Sequence, residues 1–280
     1  MIAVCIATYN QDLFLAQAIE SVLSQECDEA IRVYIGDDAS TDGTSTIGEK
    51  YAAEDSRIVY VRREKNIGLS ANTLDLYRRA LSDQCRYIAM LDGDDYWTDT
   101  HKLQIQSDYL RTHQEVGFVH TAAYDDINGQ LIAADTHHKP TGDISLCYGL
   151  RGALHTNSTV VFRADLLRFC DLGELEALHF SVLDYPLYGI FSQHTQFGYI
   201  DHYTAAWRNH VSASQPIRWN QFVRFKKDRM RMWKWLDERY SHRFQYSKAG
   251  VIKWFSAQLI AFFVKKCKKI CTNRKKVVPL

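Results

Sequence analysis

Leu91-Asp92-Gly93-Asp94-Asp95 sets three carboxylates almost side by side, directly after the strand-like run Arg86-Tyr87-Ile88-Ala89-Met90. Carboxylates this close repel one another unless something positive sits among them. A hard divalent cation does that, and it retains positions for phosphate oxygens. The cluster also falls just past the carboxyl end of a strand, where open α/β sheets bind ligands. Three-carboxylate turns are common on protein surfaces, so the meaning of this one depends on its neighbours.

A second acidic turn lies upstream. Ile31-Arg32-Val33-Tyr34-Ile35 reads as a strand and runs into Gly36-Asp37-Asp38-Ala39-Ser40-Thr41-Asp42-Gly43-Thr44. Ser40 or Thr41 as N-cap, with Asp42 near a helix N-terminus, explains part of this turn. It leaves Asp37 and Asp38 at the strand end without a reason. The first strand, Ile2-Ala3-Val4-Cys5-Ile6-Ala7, ends in Thr8-Tyr9-Asn10. Three strand tips in polar residues should therefore line one crevice.

The elements that must hold these tips follow from periodicity. Residues 2–7, 31–36, 58–62 and 86–91 are β-rich, and 12–25, 43–54, 69–82 and 101–113 carry apolar residues at helical spacing. Strands alternating with helices predict an α/β domain with a mostly parallel sheet and right-handed crossovers. Phe118 to Tyr124 returns as a strand, Asn128-Gly129 signals a hairpin, and Thr159-Val160-Val161-Phe162 is a further strand. Residues 135–158 read as loops over the site. The first turn has no Gly-rich cradle of the Rossmann or P-loop kind, so phosphates must be held by metal and side chains.

Ala7-Thr8-Tyr9-Asn10, Ala18-Ile19-Glu20-Ser21-Val22-Leu23-Ser24-Gln25, Asp37 to Thr44, Asn66-Ile67-Gly68, Asn72 and Leu91 to Asp95 follow one another in an order and spacing that closely resembles the family 2 glycosyltransferases. The resemblance holds through about residue 120. It continues more loosely through Leu183-Asp184-Tyr185-Pro186-Leu187 and Trp207-Arg208-Asn209-His210.

That resemblance implies a GT-A fold and an inverting transfer of sugar from a nucleotide-diphosphate sugar, UDP favoured, to an acceptor hydroxyl. It assigns donor contacts to Thr8, Tyr9, Asn10, Asp37, Asp38, Asn66, Gly68, Asn72, Asp92, Gly93 and Arg208. Asp94 matches the ligand of a Mg²⁺ or Mn²⁺ ion, with His210 as a partner near the diphosphate. Asp95 reads either as a second ligand or as an N-cap of the next turn. Asp184 matches the general base. Its apolar surroundings should raise its pKa, and a cap ahead of Pro186 is the competing role. His155, in the polar cluster His155-Thr156-Asn157-Ser158, is a candidate acceptor contact or simply loop polarity. His137, His138 and His179 have no partners at metal-ligand spacing.

Seven scattered cysteines without a Cys-x-x-Cys pair argue for a reducing compartment. The N-terminus enters a strand at once, which leaves no room for a secretory leader. The net charge of +1 conceals a division: residues 1–217 hold 16 Lys+Arg against 30 Asp+Glu, and residues 218–280 hold 18 against 3. The expected organisation is a catalytic domain over 1–217, with a nucleotide-sugar half (1–100) and an acceptor half (101–217), then a helical basic tail over 218–280.

In that tail Val251 to Val264 is apolar but interrupted by Lys253 and Gln258, and a Lys/Arg cluster follows from Lys265 to Lys276. This suits a helix lying in an anionic membrane interface better than a span. Packing on the catalytic domain is the alternative. The expected setting is the cytoplasmic face of a membrane, with a glycan or lipid-linked glycan acceptor in cell-envelope or capsular polysaccharide synthesis. A nucleic-acid partner is not expected. The rival readings are a sugar-phosphate nucleotidyltransferase and a catalytically silent nucleotide-sugar-binding or membrane-scaffold relative.

Overall fold

A computed structural model describes residues 1–134, 157–208 and 219–243. The first strand, β1 (Ile2–Thr8), is buried along its whole length, as a parallel strand covered on both faces must be. Its side chains alternate between two cores. Ala3, Cys5 and Ala7 join one; Ile2, Val4 and Ile6 join the other. The same division recurs in β4 (Tyr87–Asp92), with Ile88 and Met90 on one side and Tyr87, Ala89 and Leu91 on the other.

Around β1 and β4 the order is β3 (Ile58–Arg62), β2 (Ile31–Asp37), β1, β4, all parallel. Between them run α1 (Leu15–Leu23), α2 (Thr44–Glu54) and α3 (Leu69–Ser82). Helix α1 forms because Leu15, Ala18, Ile19 and Val22 make one buried stripe.

The sheet continues past β4. Two-residue β5 (Tyr96–Trp97), α4 (Lys102–Thr112), β6 (Val116–Ile127), β7 (Gln130–Ala133) and β8 (Val161–Arg163) come next in the chain. Asn128 and Gly129 both have positive φ, 54° and 83°, and close the β6–β7 hairpin that the Asn-Gly pair predicts. Strand β8 inserts antiparallel between β4 and β6, and β9 (Gln196–Arg208) lies parallel to β6 with β5 on its outer side. Short helices α5 (Leu172–Ala177) and α6 (Asp184–Phe191) precede β9, and α7 (Trp219–Arg239) follows it.

Helix α7 differs from the expectation of a separate basic tail. Its Met232, Trp233 and Leu236 are buried in the same core as Cys5, Tyr77 and Met90. Gly189 in α6 permits this docking, since a Cβ there would lie 2.5 Å from Leu236 Cδ1. Basic residues thus occupy the outer side of a helix whose inner side is apolar. The apolar run and Lys/Arg cluster beyond residue 243 lie outside the described residues, as do residues 135–156. Among the described residues no helix is long and apolar enough to cross a membrane.

Candidate active site

The strand order reverses between β1 and β4, and ligands of open α/β sheets bind at that crevice. Ala7 pairs with Asp92 there, and the Gly93 N–H donates to the Ala7 carbonyl at 3.2 Å. Gly93 has to be small: a Cβ would come within 2.4 Å of Gln11 Oε1 and 2.9 Å of Thr8 Oγ1. The Asp92–Asp95 turn is therefore pressed against the tip of β1.

Several residues expected to touch the donor also build this tip. Thr8 is buried and its hydroxyl donates to Gln11 Oε1 at 2.7 Å. Asp37 is fully buried, with Oδ1 accepting from the Ser40 N–H (2.8 Å) and Oδ2 from the Tyr60 hydroxyl (2.6 Å). Asn72 is also buried; it donates to the Gly36 carbonyl at 2.7 Å and accepts from Arg63 Nε at 3.0 Å. The side chains of these three each hold partners inside the protein and so hold the tip in shape. Ser40 is no helix cap. Its hydroxyl accepts from the Asn10 N–H, and α2 begins at Thr44, whose N–H donates to Asp42.

The residues left facing the crevice form a smaller set. Tyr9 is 45% exposed, and Asn10 stands exposed at φ 53°, a conformation Asn tolerates. Asn10 Oδ1 accepts from the Thr41 N–H, which joins the β1 and β2 tips. Asp38 accepts from the N–H groups of Ile67 (2.7 Å) and Gly68 (2.8 Å), and so draws the Asn66-Ile67-Gly68 turn over the crevice. Gly68, at φ 88°, supplies the left-handed conformation that turn needs before α3.

Within the acidic turn the carboxylates have different fates. Asp95 is buried: Oδ2 accepts from the Ser158 hydroxyl and Oδ1 from the Arg208 N–H at 2.9 Å. Burial, then the charge of Asp92, raises its pKa well above the carboxylate range. Asp95 is followed by β5 and not by a helical turn, so the N-cap role is corrected. With one hydrogen bond accepted on each oxygen, it clamps β9 to the turn at 157–159.

Asp92 and Asp94 remain less enclosed. Burial, and then the charge of Asp94, push Asp92 up to about 7. Among the described residues no three His, Cys, Asp or Glu side chains converge on a metal position. The third expected partner, His210, lies outside the described residues. Two hard oxygen donors whose mutual repulsion a cation would relieve fit Mg²⁺ or Mn²⁺ in chemistry.

Arg208, at the end of β9, reaches the same rim. Its guanidinium lies over the rings of Phe14 (4.7 Å) and Tyr96 (4.9 Å), Nη2 donates to Gln17 Oε1 at 2.7 Å, and its buried Nε has no hydrogen-bond partner among the described residues. A guanidinium held by two rings and with a donor to spare fits a phosphate oxygen.

The expected base lies on the other side of β4. Leu69, Thr73, Tyr77, Met90, Asp92, Asn157, Val182, Leu183 and Asp184 line a cavity of about 110 Å³. Asp184 opens α6 as its first residue, while Leu183 holds the cap position. Its Oδ1 accepts from the Tyr185 N–H at 2.8 Å. Burial raises its pKa, against that hydrogen bond and the charge of Arg229. Asn157 ties Asp92 to the helix that bears Asp184: Nδ2 donates to Asp92 at 3.2 Å, and Oδ1 accepts from the Tyr188 hydroxyl at 2.6 Å. Asn157, Tyr188, Gln11 and Arg229 carried no signal of their own in the sequence, although the cluster containing Asn157 did. His155 lies outside the described residues.

Residues 3–169 match Glycosyl transferase family 2. The chain belongs to that family. An Escherichia coli relative, the UDP-Glc:alpha-D-GlcNAc-diphosphoundecaprenol beta-1,3-glucosyltransferase WfaP, is 34% identical over 114 residues, which is 41% of this chain and 43% of the relative. An uncharacterized Mycobacterium bovis protein is 38% identical over 109 residues, 39% of this chain and 31% of its own length. The family 2 chain thus matches less than half the length of these curated relatives.

Among solved structures, S. aureus TarS in complex with UDP superposes with a TM-score of 0.55 at 16% identity, covering 89% of this chain and 73% of that one. The Pyrobaculum calidifontis mannosyltransferase PcManGT, in complex with GDP-Man and Mn²⁺, gives 0.56 at 14% identity, covering 98% and 79%. At such identities the likeness carries the fold, which is GT-A.

Proposed function

We propose that this chain is an inverting glycosyltransferase that uses a nucleoside diphosphate sugar, with UDP the favoured nucleoside diphosphate. One observation carries the reading: Asp184 and Asp92 line a single cavity beside the acidic turn at the β1–β4 crevice. A donor laid along the crevice would meet Tyr9, Asn10 and the turn held by Asp38 at its base end. Its ribose would meet Asp92, and its diphosphate Arg208. UDP and UDP-GlcNAc in TarS, and UDP-Glc in the WfaP name, favour uridine, while GDP-Man in PcManGT keeps guanosine open.

In the reaction an acceptor hydroxyl gives its proton to Asp184 as its oxygen attacks the anomeric carbon. The bond from that carbon to the β-phosphate oxygen breaks, and the nucleoside diphosphate leaves. A single base placed opposite the leaving group gives in-line displacement and inversion. Asp94 with Asp92 would hold Mg²⁺ or Mn²⁺, which neutralises charge on the diphosphate as a Lewis acid. Arg208 adds a fixed positive charge at the same end. Work on a cell-envelope glycan at the cytoplasmic membrane face belongs to the same proposal, supported by the kind of acceptor in the WfaP name and by the basic composition after residue 217.

The test is calorimetric titration with UDP-, GDP- and dTDP-sugars, each with Mn²⁺ and with EDTA, on wild type and Asp94→Ala. Binding of one donor that requires both the metal and Asp94 supports the reading. Donor binding that ignores both would overturn its metal-dependent part, and no binding at all would favour a silent relative.

A further inference from the structure

Among the described residues, the cation whose charge acts on the base belongs to α7, outside the segment that matches the family. Arg229 holds its guanidinium 4.9 Å from the centre of the Tyr185 ring, the residue next to Asp184. Its charge acts on Asp184 directly, yet the two form no ion pair. Among the described residues the Arg229 guanidinium has no hydrogen bond and no salt bridge. The adjacent acid, Asp228, is engaged elsewhere: it accepts from the Ser181 N–H at 2.7 Å and pairs with Arg231 at 2.8 Å. Arg231 in turn donates to the carbonyls of Leu178 and His179. Arg229 is thus held by stacking, with its forked donors unspent, beside the cavity that contains Asp184.

Stacking on an aromatic ring fixes the plane of a guanidinium without using its N–H groups. Such a group is suited to a phosphate, which takes two parallel N–H bonds. Arg224, Lys226 and Lys227 stand within about one and a half turns on the same helix and add to the positive field. Leu69, which lines the same cavity, is 49% exposed.

We propose that Arg229 forms an acceptor subsite for a phosphate group, so that the sugar acceptor is a phosphorylated one. This rests on the sugar-transfer reading above. The phosphate can come from a lipid-linked diphosphate or from a soluble sugar phosphate. The hydroxyl reaches Asp184 while the phosphate rests on Arg229, away from the carboxylates of Asp92 and Asp184.

The test titrates the full chain with glucose 1-phosphate, farnesyl diphosphate and neutral decyl glucoside, with and without saturating UDP and Mn²⁺. Wild type, Arg229→Met and Arg229→Lys are compared. At least one phosphate probe should bind the UDP-loaded protein more tightly than decyl glucoside. Arg229→Met should weaken it at least tenfold, Arg229→Lys less, and UDP affinity should not change. The phosphate probe that binds names the source. Equal binding by wild type and Arg229→Met, or no preference for phosphate over decyl glucoside, overturns the subsite. Failure of UDP itself to bind would count against the donor reading instead, and the Arg229 comparison on UDP-free protein would still decide the subsite.

Discussion

Asp92, at the end of β4, and Asp184, at the start of α6, share one cavity and are linked through Asn157, which bonds Asp92 on one side and Tyr188 of α6 on the other. The donor end and the base are therefore set relative to each other by side chains. Leu69, Met90, Val182 and Leu183 supply the apolar lining around both carboxylates.

Asp184→Asn should lower the rate of transfer by about 10²–10⁴-fold, the range for loss of a general base, and leave donor affinity unchanged. Asp184 acts when deprotonated, and its pKa is raised by burial. The acidic limb of the kcat/KM profile should consequently fall above the ordinary carboxylate range of about 4. Steady-state rates against pH check the limb, and single-turnover rates on the variant check the loss. Transfer at wild-type rate by folded Asp184→Asn would remove the base from this position.

Asp94 and Asp95 should separate by phenotype. Asp94→Ala should lose metal-dependent nucleotide binding with little change in melting temperature. Asp95→Ala leaves the Arg208 N–H and the Ser158 hydroxyl without their acceptor, at a cost of about 1–3 kcal/mol each at most. Thermal unfolding beside titration calorimetry distinguishes them; matched melting temperatures for the two variants would contradict the clamp.

Asp38→Asn should act at a distance from its own position. One of the Ile67 and Gly68 N–H groups would then face a donor in place of an acceptor. The expected result is faster hydrogen exchange at 66–68 and weaker nucleotide binding. Unchanged exchange there would mean that the turn holds itself.

Lys102 is fully buried beneath Trp97, its Nζ 4.5 Å from the ring centre, and donates to Gln106. Burial lowers its pKa from 10.5 to about 7. Between those values the unfolded chain holds a proton that the folded one has lost, so stability should rise with pH by at most about 1.4 kcal/mol per unit. Below pH 7 the folded protein must bury the charge, and that contribution disappears. Denaturant unfolding at pH 7 and 9 should show a smaller rise for Lys102→Met than for wild type; equal rises would assign the dependence to other groups.

The strands and helices through residue 112 were legible because each buried strand is a continuous apolar run and each helix has one apolar stripe. The polar residues at the tips were harder to sort. Thr8, Asp37, Asn72 and Asp95 have the composition of ligand contacts, yet a buried strand end also needs acceptors for its own N–H groups. Only the packing of Tyr60, Arg63 and Ser158 against them reveals which need they meet. Arg229 was hidden for a different reason. It lies in a helix rich in Lys and Arg, so it reads as one more charge on a solvated face until the fold sets it on Tyr185.

Gly189 and Leu236 give the chain a lower limit on its length. Leu236 fills the space that the missing side chain of Gly189 leaves on the helix bearing Asp184. A protein trimmed to the family-matched residues 3–169 would have neither that helix nor its cover, and one trimmed at 217 would wet the back of α6. The smallest piece able to fold with an ordered Asp184 should thus extend through α7, and protease-resistant fragments should keep this helix attached.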